Sequence, residues 1–192
     1  MFGCVSDVSA CCRCHKPTDT YASSYHRGQR TIKPHENAFT NQHSFSLPLR
    51  LHTAIMTKPP VPGTYVIVNK ALSPTNEKLA ITYNGLDQPL TVNIKTDSSH
   101  QRWIVQDHDQ NTKSLVPVDA TALQAARDAD CATALPTHSY VWTITETDSG
   151  YTIQDGAGTA FWGVADAVDN APLVAGSDTG DEKHRWSFET VL

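Results

Sequence analysis

From residue 63 onward the chain alternates apolar and polar residues in short runs, broken by clusters of Gly, Pro, Asn, Asp and Ser. An alternation of period two puts successive side chains on opposite faces of a strand, and frequent turn residues keep the strands short, so this region reads as all-β. The expected strands fall into three sets. First strands lie over 64–69, 113–118 and 150–155, and second strands over 78–82, 122–126 and 160–164. Third strands lie over 90–94, 131–135 and 172–175, and a fourth in each set runs through Trp103, Trp142 or Trp186.

The tryptophans recur at intervals of roughly 40 residues, the mark of one supersecondary unit used three times. A propeller with this period needs about four blades or more to close. Three four-strand units instead predict a β-trefoil, a six-stranded barrel capped by three hairpins, with repeats at about 63–108, 109–148 and 149–192. The repeated Trp then fills equivalent core sites. Overlaying Leu79, Leu123 and Phe161 as inward positions aims Trp162 outward, which predicts a secondary contact or self-association surface there.

Charge divides the chain in two. Residues 1–55 carry six Lys+Arg against three Asp+Glu, whereas residues 56–192 carry nine against seventeen. The leader holds Cys4, Cys11, Cys12, Cys14 and five of the nine histidines, but no strand periodicity and no long apolar run. Such a segment buries too little to offset the entropy of ordering, so it is expected to be disordered. It lacks the apolar core of a secretory signal. Met56-Thr57 resembles a natural start, which makes 1–55 an expected gene-model extension. Cys11-Cys12-x-Cys14-His15 has zinc-type ligands without the second spaced pair that would complete a site. Cys131 is the lone cysteine after residue 56, so a reduced, cytoplasmic protein is expected.

The acidic balance of 56–192 opposes nucleic-acid binding, which depends on Lys/Arg contacts to phosphate. No phosphate loop, paired-histidine metal motif or activated nucleophile appears, and no stretch is apolar enough to span a membrane. Acidic residues such as Asp107, Asp128, Asp178 and Asp181 sit in turns, where they are expected to be solvated rather than catalytic. An enzyme, a metal site and a cofactor are therefore not expected. The reading is a binding module.

Gln101-x-Trp103 resembles the Gln-x-Trp repeat of ricin-type β-trefoil lectins. Gly63-Thr-Tyr-x-Ile-Val-Asn69, Leu72-Ser-Pro-Thr75, Glu77-Lys-Leu-Ala80, Tyr140-Val-Trp-Thr-Ile144, Gly150-Tyr-Thr-Ile-Gln-Asp155 and Phe161-Trp-Gly-Val-Ala-Asp166 are similar to a basidiomycete subgroup of fruiting-body lectins. Inky-cap lectins of that type recognise α1,3-fucosylated chitobiose cores and act against nematodes and insects. The resemblance implies a lectin for fucosylated or GlcNAc-containing glycans, used against animal grazers.

It further implies one sugar site in the middle repeat, around Tyr140, Val141 and Trp142, with Leu135 upstream. Arg127 stands where another aromatic platform is expected, and a guanidinium can also lie flat on a ring and donate hydrogen bonds. Ser139 and His138 precede Tyr140, where a short polar group would meet a sugar hydroxyl. Tyr140 replaces the Gln of the repeat, and a break in the fold's own pattern is where function concentrates. Strand alternation puts Tyr140 and Trp142 on one face and Val141 on the other, so the three are not expected to share one ligand through side chains alone.

Two other readings stay open. A β-trefoil protease inhibitor would present 136–138 or 84–89 as a rigid loop, and a storage trefoil would bind nothing. As a lectin, the chain would capture glycans reversibly without metal, and a homodimer would strengthen weak single-site binding through effective concentration.

Overall fold

The computed structural model describes residues 58–191. The expectations for 1–55, including the Cys11–Cys14 cluster, fall outside those residues. Twelve strands follow one another: β1 Gly63–Asn69, β2 Leu79–Thr82, β3 Thr91–Ile94, β4 Arg102–Asp107, β5 Lys113–Pro117 and β6 Leu123–Asp128, then β7 Cys131–Pro136, β8 Trp142–Thr147, β9 Gly150–Asp155, β10 Phe161–Val164, β11 Ala171–Gly176 and β12 Trp186–Thr190. Each expected strand is present, with ends displaced by only one or two residues.

Six strands close on themselves. β1 pairs with β4, β4 with β5, β5 with β8, β8 with β9, β9 with β12, and β12 returns to β1. The other six form the hairpins β2–β3, β6–β7 and β10–β11. These hairpins join as a cap, because β11 pairs with both β3 and β7 and Pro89 bridges to Thr133. This is the β-trefoil that the repeat period predicts. Closure leaves the barrel without an open edge.

The interior is filled by the inward face of each strand. Ile67, Leu79, Ile81, Leu115, Ile153 and Leu173 are fully buried beside all four tryptophans. A smaller apolar group, Val66, Val68 and Ala80 with Val191 against it, lies apart from this core. β1 is thus apolar at consecutive positions rather than alternating.

The repeat tryptophans define the pseudo-threefold by their hydrogen bonds. Trp103 Nε1 donates to the carbonyl of Ile81 at 3.0 Å, Trp142 Nε1 to Ala125 at 3.0 Å, and Trp186 Nε1 to Trp162 at 3.2 Å. Ile81, Ala125 and Trp162 are therefore equivalent, and all three point inward with no exposed surface. The sequence overlay set Phe161 level with Leu79 and Leu123, two residues before Ile81 and Ala125; the equivalent residue before Trp162 is Ala160, so the overlay is wrong by one residue. With a side-chain period of two, a one-residue shift reverses the face. Trp162 is a core residue, and the association surface expected there is not formed.

One further expectation is corrected: Cys131 is disulfide-bonded rather than a reduced thiol. Asp178 is an exposed turn residue that accepts from Gly180 N two residues on, as expected, and it also accepts from both terminal nitrogens of buried Arg185, at 2.8 and 3.1 Å. No helix among the described residues is long and apolar enough to cross a membrane.

Candidate glycan-binding site

The connection between β7 and β8 is short and pinned along its length. Thr137 N donates to Ala122 O at 2.9 Å, and His138 N to Gln124 Oε1 at 3.1 Å. Gln124 is buried on β6, so its amide is a fixed acceptor for the loop. At the far end Gly156 N donates to Val141 O at 3.0 Å. A Cβ on Gly156 would lie 2.4 Å from Val141 Cγ2, so any larger residue there displaces the Val141 side chain. The loop is thus fixed before any ligand arrives, which limits the ordering cost of binding.

The same position is used differently in each repeat. Gln101 turns inward, where Oε1 accepts from Thr96 N at 2.7 Å and Nε2 donates to Ile94 O at 3.0 Å. His184 covers Gly163 and bonds Thr179 Oγ1 through Nδ1 at 2.8 Å. Tyr140 makes no side-chain hydrogen bond with the described residues, and Gln124 ties the loop in its place. The Tyr140 ring is half-buried, with the ring of exposed His138 5.8 Å away. Leu135, Ser139 and Val141 belong to the same end of the repeat, Leu135 and Val141 half-buried and Ser139 exposed.

Trp142 does not join them as a ring platform. Its indole is 1% exposed and packs on Trp162 at 4.4 Å between centroids, so no ring face is open to a sugar. Tyr140 and Val141 precede β8 and lie in the loop, so strand alternation does not govern them. Tyr140 is turned toward the surface although it sits two residues from buried Trp142.

Arg127 belongs to a different cluster, at the tip of the β6–β7 hairpin. Its Nη1 donates to Asp155 Oδ2 at 2.6 Å and to Thr159 Oγ1 at 2.7 Å, and its Nε to Ala129 O at 2.8 Å. Asp155 Oδ1 also accepts from Thr159 N and Ala160 N, at 2.6 and 3.1 Å. Burial works against the Asp155 charge, but the Thr159 hydroxyl and amide, the Ala160 amide and Arg127 outweigh it and hold the pKa down to about 2. Leu135 pairs across from Gln124, three positions before Arg127 on β6, a separation of roughly 10 Å. Arg127 reaches the loop only indirectly, since Asp155 pairs with Trp142 and neighbouring Gly156 holds Val141.

Residues 63–186 match the sequence model of the CCL2 lectin-like family. The chain belongs to that family. No curated protein matches it in sequence. Among solved structures, it is similar to a mosquitocidal holotoxin at 15% identity and a TM-score of 0.63, over 69% of this chain but 18% of the toxin. It is similar to the Rhizoctonia solani agglutinin at 13% identity and a TM-score of 0.57, over 68% of this chain and 96% of the other. The Macrolepiota procera ricin B-like lectin, solved in complex with lactose, gives 12% identity and a TM-score of 0.56, over 70% and 100% of the two chains. At such identities the structural likeness shows the fold, and the family match marks this CCL2-like chain as carrying a lectin domain.

Within that domain the residues missed by sequence reasoning are those that hold the loop. Gln124 and Gly156 carry no motif. Their only signal is a polar residue among buried strand positions and a glycine just after a strand, and both acquire meaning through partners 14 and 15 residues away.

Proposed function

We propose that this CCL2-like chain is a lectin that captures glycans reversibly, without chemistry, at the β7–β8 loop of the middle repeat. The observation that carries the reading is Tyr140. It interrupts the inward Gln position of the repeat and offers a half-open ring on a loop fixed at both ends. A sugar's apolar C–H face packs on such a ring, while Ser139, His138 and the loop backbone meet its hydroxyls, and Leu135 and Val141 supply the apolar rim. Trp142 acts from beneath, setting the start of β8, and Arg127 acts by bracing Asp155.

The ligand class we favour is the fucosylated chitobiose core or related GlcNAc-containing glycans. The reading extends to capture of grazers' surface glycans, strengthened by pairing of two copies. Support comes from the similarity of the motif phrases and from the family match. The test is a glycan array probed with the full chain and with Tyr140→Ala, each checked for folding by circular dichroism. Selective binding by the parent, weakened at least about tenfold in a folded Tyr140→Ala, is the expected result. Folded parent protein that binds no glycan overturns the proposal.

A further inference from the structure

We infer that the first repeat carries a second carbohydrate site, separate from the Tyr140 loop and selective for uncharged sugars. The inference rests on the lectin reading above. Its location is an open groove of about 580 Å³, lined by Tyr83, Asn84, Asn93, Ile94, His100 and Asp169 among others.

The groove is built like the middle-repeat site, one threefold step away. β7, which leads into the middle loop, is bonded to the β2–β3 connection, where Asp87 N donates to Ala134 O at 2.9 Å and Thr133 Oγ1 to Gln88 O at 2.9 Å. The groove is flanked in turn by the β10–β11 connection, where Ile94 N donates to Asp169 Oδ1 at 2.8 Å. Each site therefore combines one repeat's loop with a hairpin turn from another. Their side chains differ, so the ligands differ.

The aromatic element is Tyr83, half-exposed just after β2. Its ring stacks with that of His100, 6.0 Å between centroids and 28° between planes. His100 is held by Nδ1 against Tyr83 O at 3.1 Å. The ring pair is thus a fixed surface for the apolar face of a pyranose.

The polar groups are placed but incompletely used. Asn84 Nδ2 is consumed by Pro89 O at 2.8 Å and Thr91 Oγ1 at 3.0 Å, so Asn84 is structural. Asn93 Oδ1 accepts from Thr91 Oγ1 at 2.6 Å, which leaves its Nδ2 without a partner among the described residues. Asp169 commits Oδ1 to Ile94 N and leaves Oδ2 similarly open, and so is Tyr83 Oη. One amide donor, one carboxylate acceptor and one phenol beside a ring match the hydroxyls of a neutral sugar. The Asp169 carboxylate repels acidic sugars. With two sites the single chain is bivalent and cross-links glycans without dimerising.

The test is a backbone-amide NMR titration of the full chain with N,N′-diacetylchitobiose and, separately, with lactose. Two distinct sets of shifts are expected, one over 136–143 and one over Thr82–Asn84, Asn93–Thr96 and His100. Tyr83→Ala removes the second set and leaves the first unchanged. Asp169→Asn, which keeps an acceptor for Ile94 N and hence the local fold, weakens the second set at least tenfold. Shifts confined to 136–143 overturn the second site and leave the lectin reading standing. Second-set shifts that persist in both variants overturn the groove assignment. No shift with either sugar over Thr82–Asn84, Asn93–Thr96 and His100 overturns this inference, while the lectin reading stands or falls on the glycan array.

Discussion

Trp142 packs against Trp162 with ring centroids 4.4 Å apart and planes inclined at 59°. The two come from different repeats, and Trp162 takes the place that Ile81 and Ala125 fill in the other two. A fourth buried indole, where the other repeats carry Ile81 and Ala125, shows the repeats diverging within a filled core. This pair belongs to stability rather than to sugar recognition.

Trp162→Ala is accordingly expected to lower unfolding stability by about 3–5 kcal/mol, the range for removing a buried aromatic. Trp142→Ala should be as damaging, because it also strips the Ala125 carbonyl of its donor. Urea unfolding followed by circular dichroism measures both. A loss below about 1 kcal/mol at either position contradicts the core role. Glycan binding lost in Trp142→Ala therefore says nothing about the site unless folding is intact.

The Arg127–Asp155–Thr159 cluster predicts a pH dependence. The Asp155 pKa falls from 3.8 to about 2 on folding. A depressed acid stabilises the fold fully above its unfolded pKa, and that contribution is lost as pH falls through the folded value. The contribution near neutrality is about 2 kcal/mol. Asp155→Asn should be less stable than the parent by about this amount at pH 7. The gap should close between about pH 4 and pH 2. Unfolding midpoints measured across that range check it, and a gap independent of pH refutes the assignment.

Gly163 predicts a steric coupling. A Cβ there would lie 2.4 Å from both Cδ2 and Nε2 of His184, whose ring is anchored by Thr179 and Asp181. Gly163→Ala should cost about 1–3 kcal/mol, whereas Gly176→Ala, whose added atom meets nothing within 4 Å, should be nearly neutral. In a double-mutant cycle His184→Ala should recover part of the Gly163→Ala loss. Additive losses would show that His184 is not the obstacle.

Ala129 predicts a gain. It holds a φ of 51° at the β6–β7 turn, a conformation that costs a residue with Cβ about 1 kcal/mol or more. Ala129→Gly should stabilise the fold by a few tenths to about 1 kcal/mol, offset by the added freedom of the unfolded chain. Thermal unfolding reads the sign, and a lowered midpoint contradicts it.

Much of the proposed site rests on one broken rule of the repeat. Tyr140 in place of the repeat Gln marks the middle loop, and the structure places Leu135, Ser139 and Val141 at the same end of that repeat. Arg127 joined them because the resemblance implies a platform at that position, but its partners are Asp155 at the end of β9 and Thr159 in the loop after it. Tyr83, Asn93 and Asp169 escaped notice because each is an ordinary strand-end or turn residue until the hairpins meet.

The sequence by itself determined the strand lengths, their number and the threefold period, hence the β-trefoil. Those follow from local alternation and turn chemistry, which act over a few residues. Only the tertiary structure decided that Trp162 faces inward, because register shifts by one residue reverse a strand's face and register is set by the partner strand. It alone brought Asp169 from the third repeat to the first, and joined Asp155 to Arg127. Barrel closure selects which distant loops meet, and no local pattern in the chain encodes that choice.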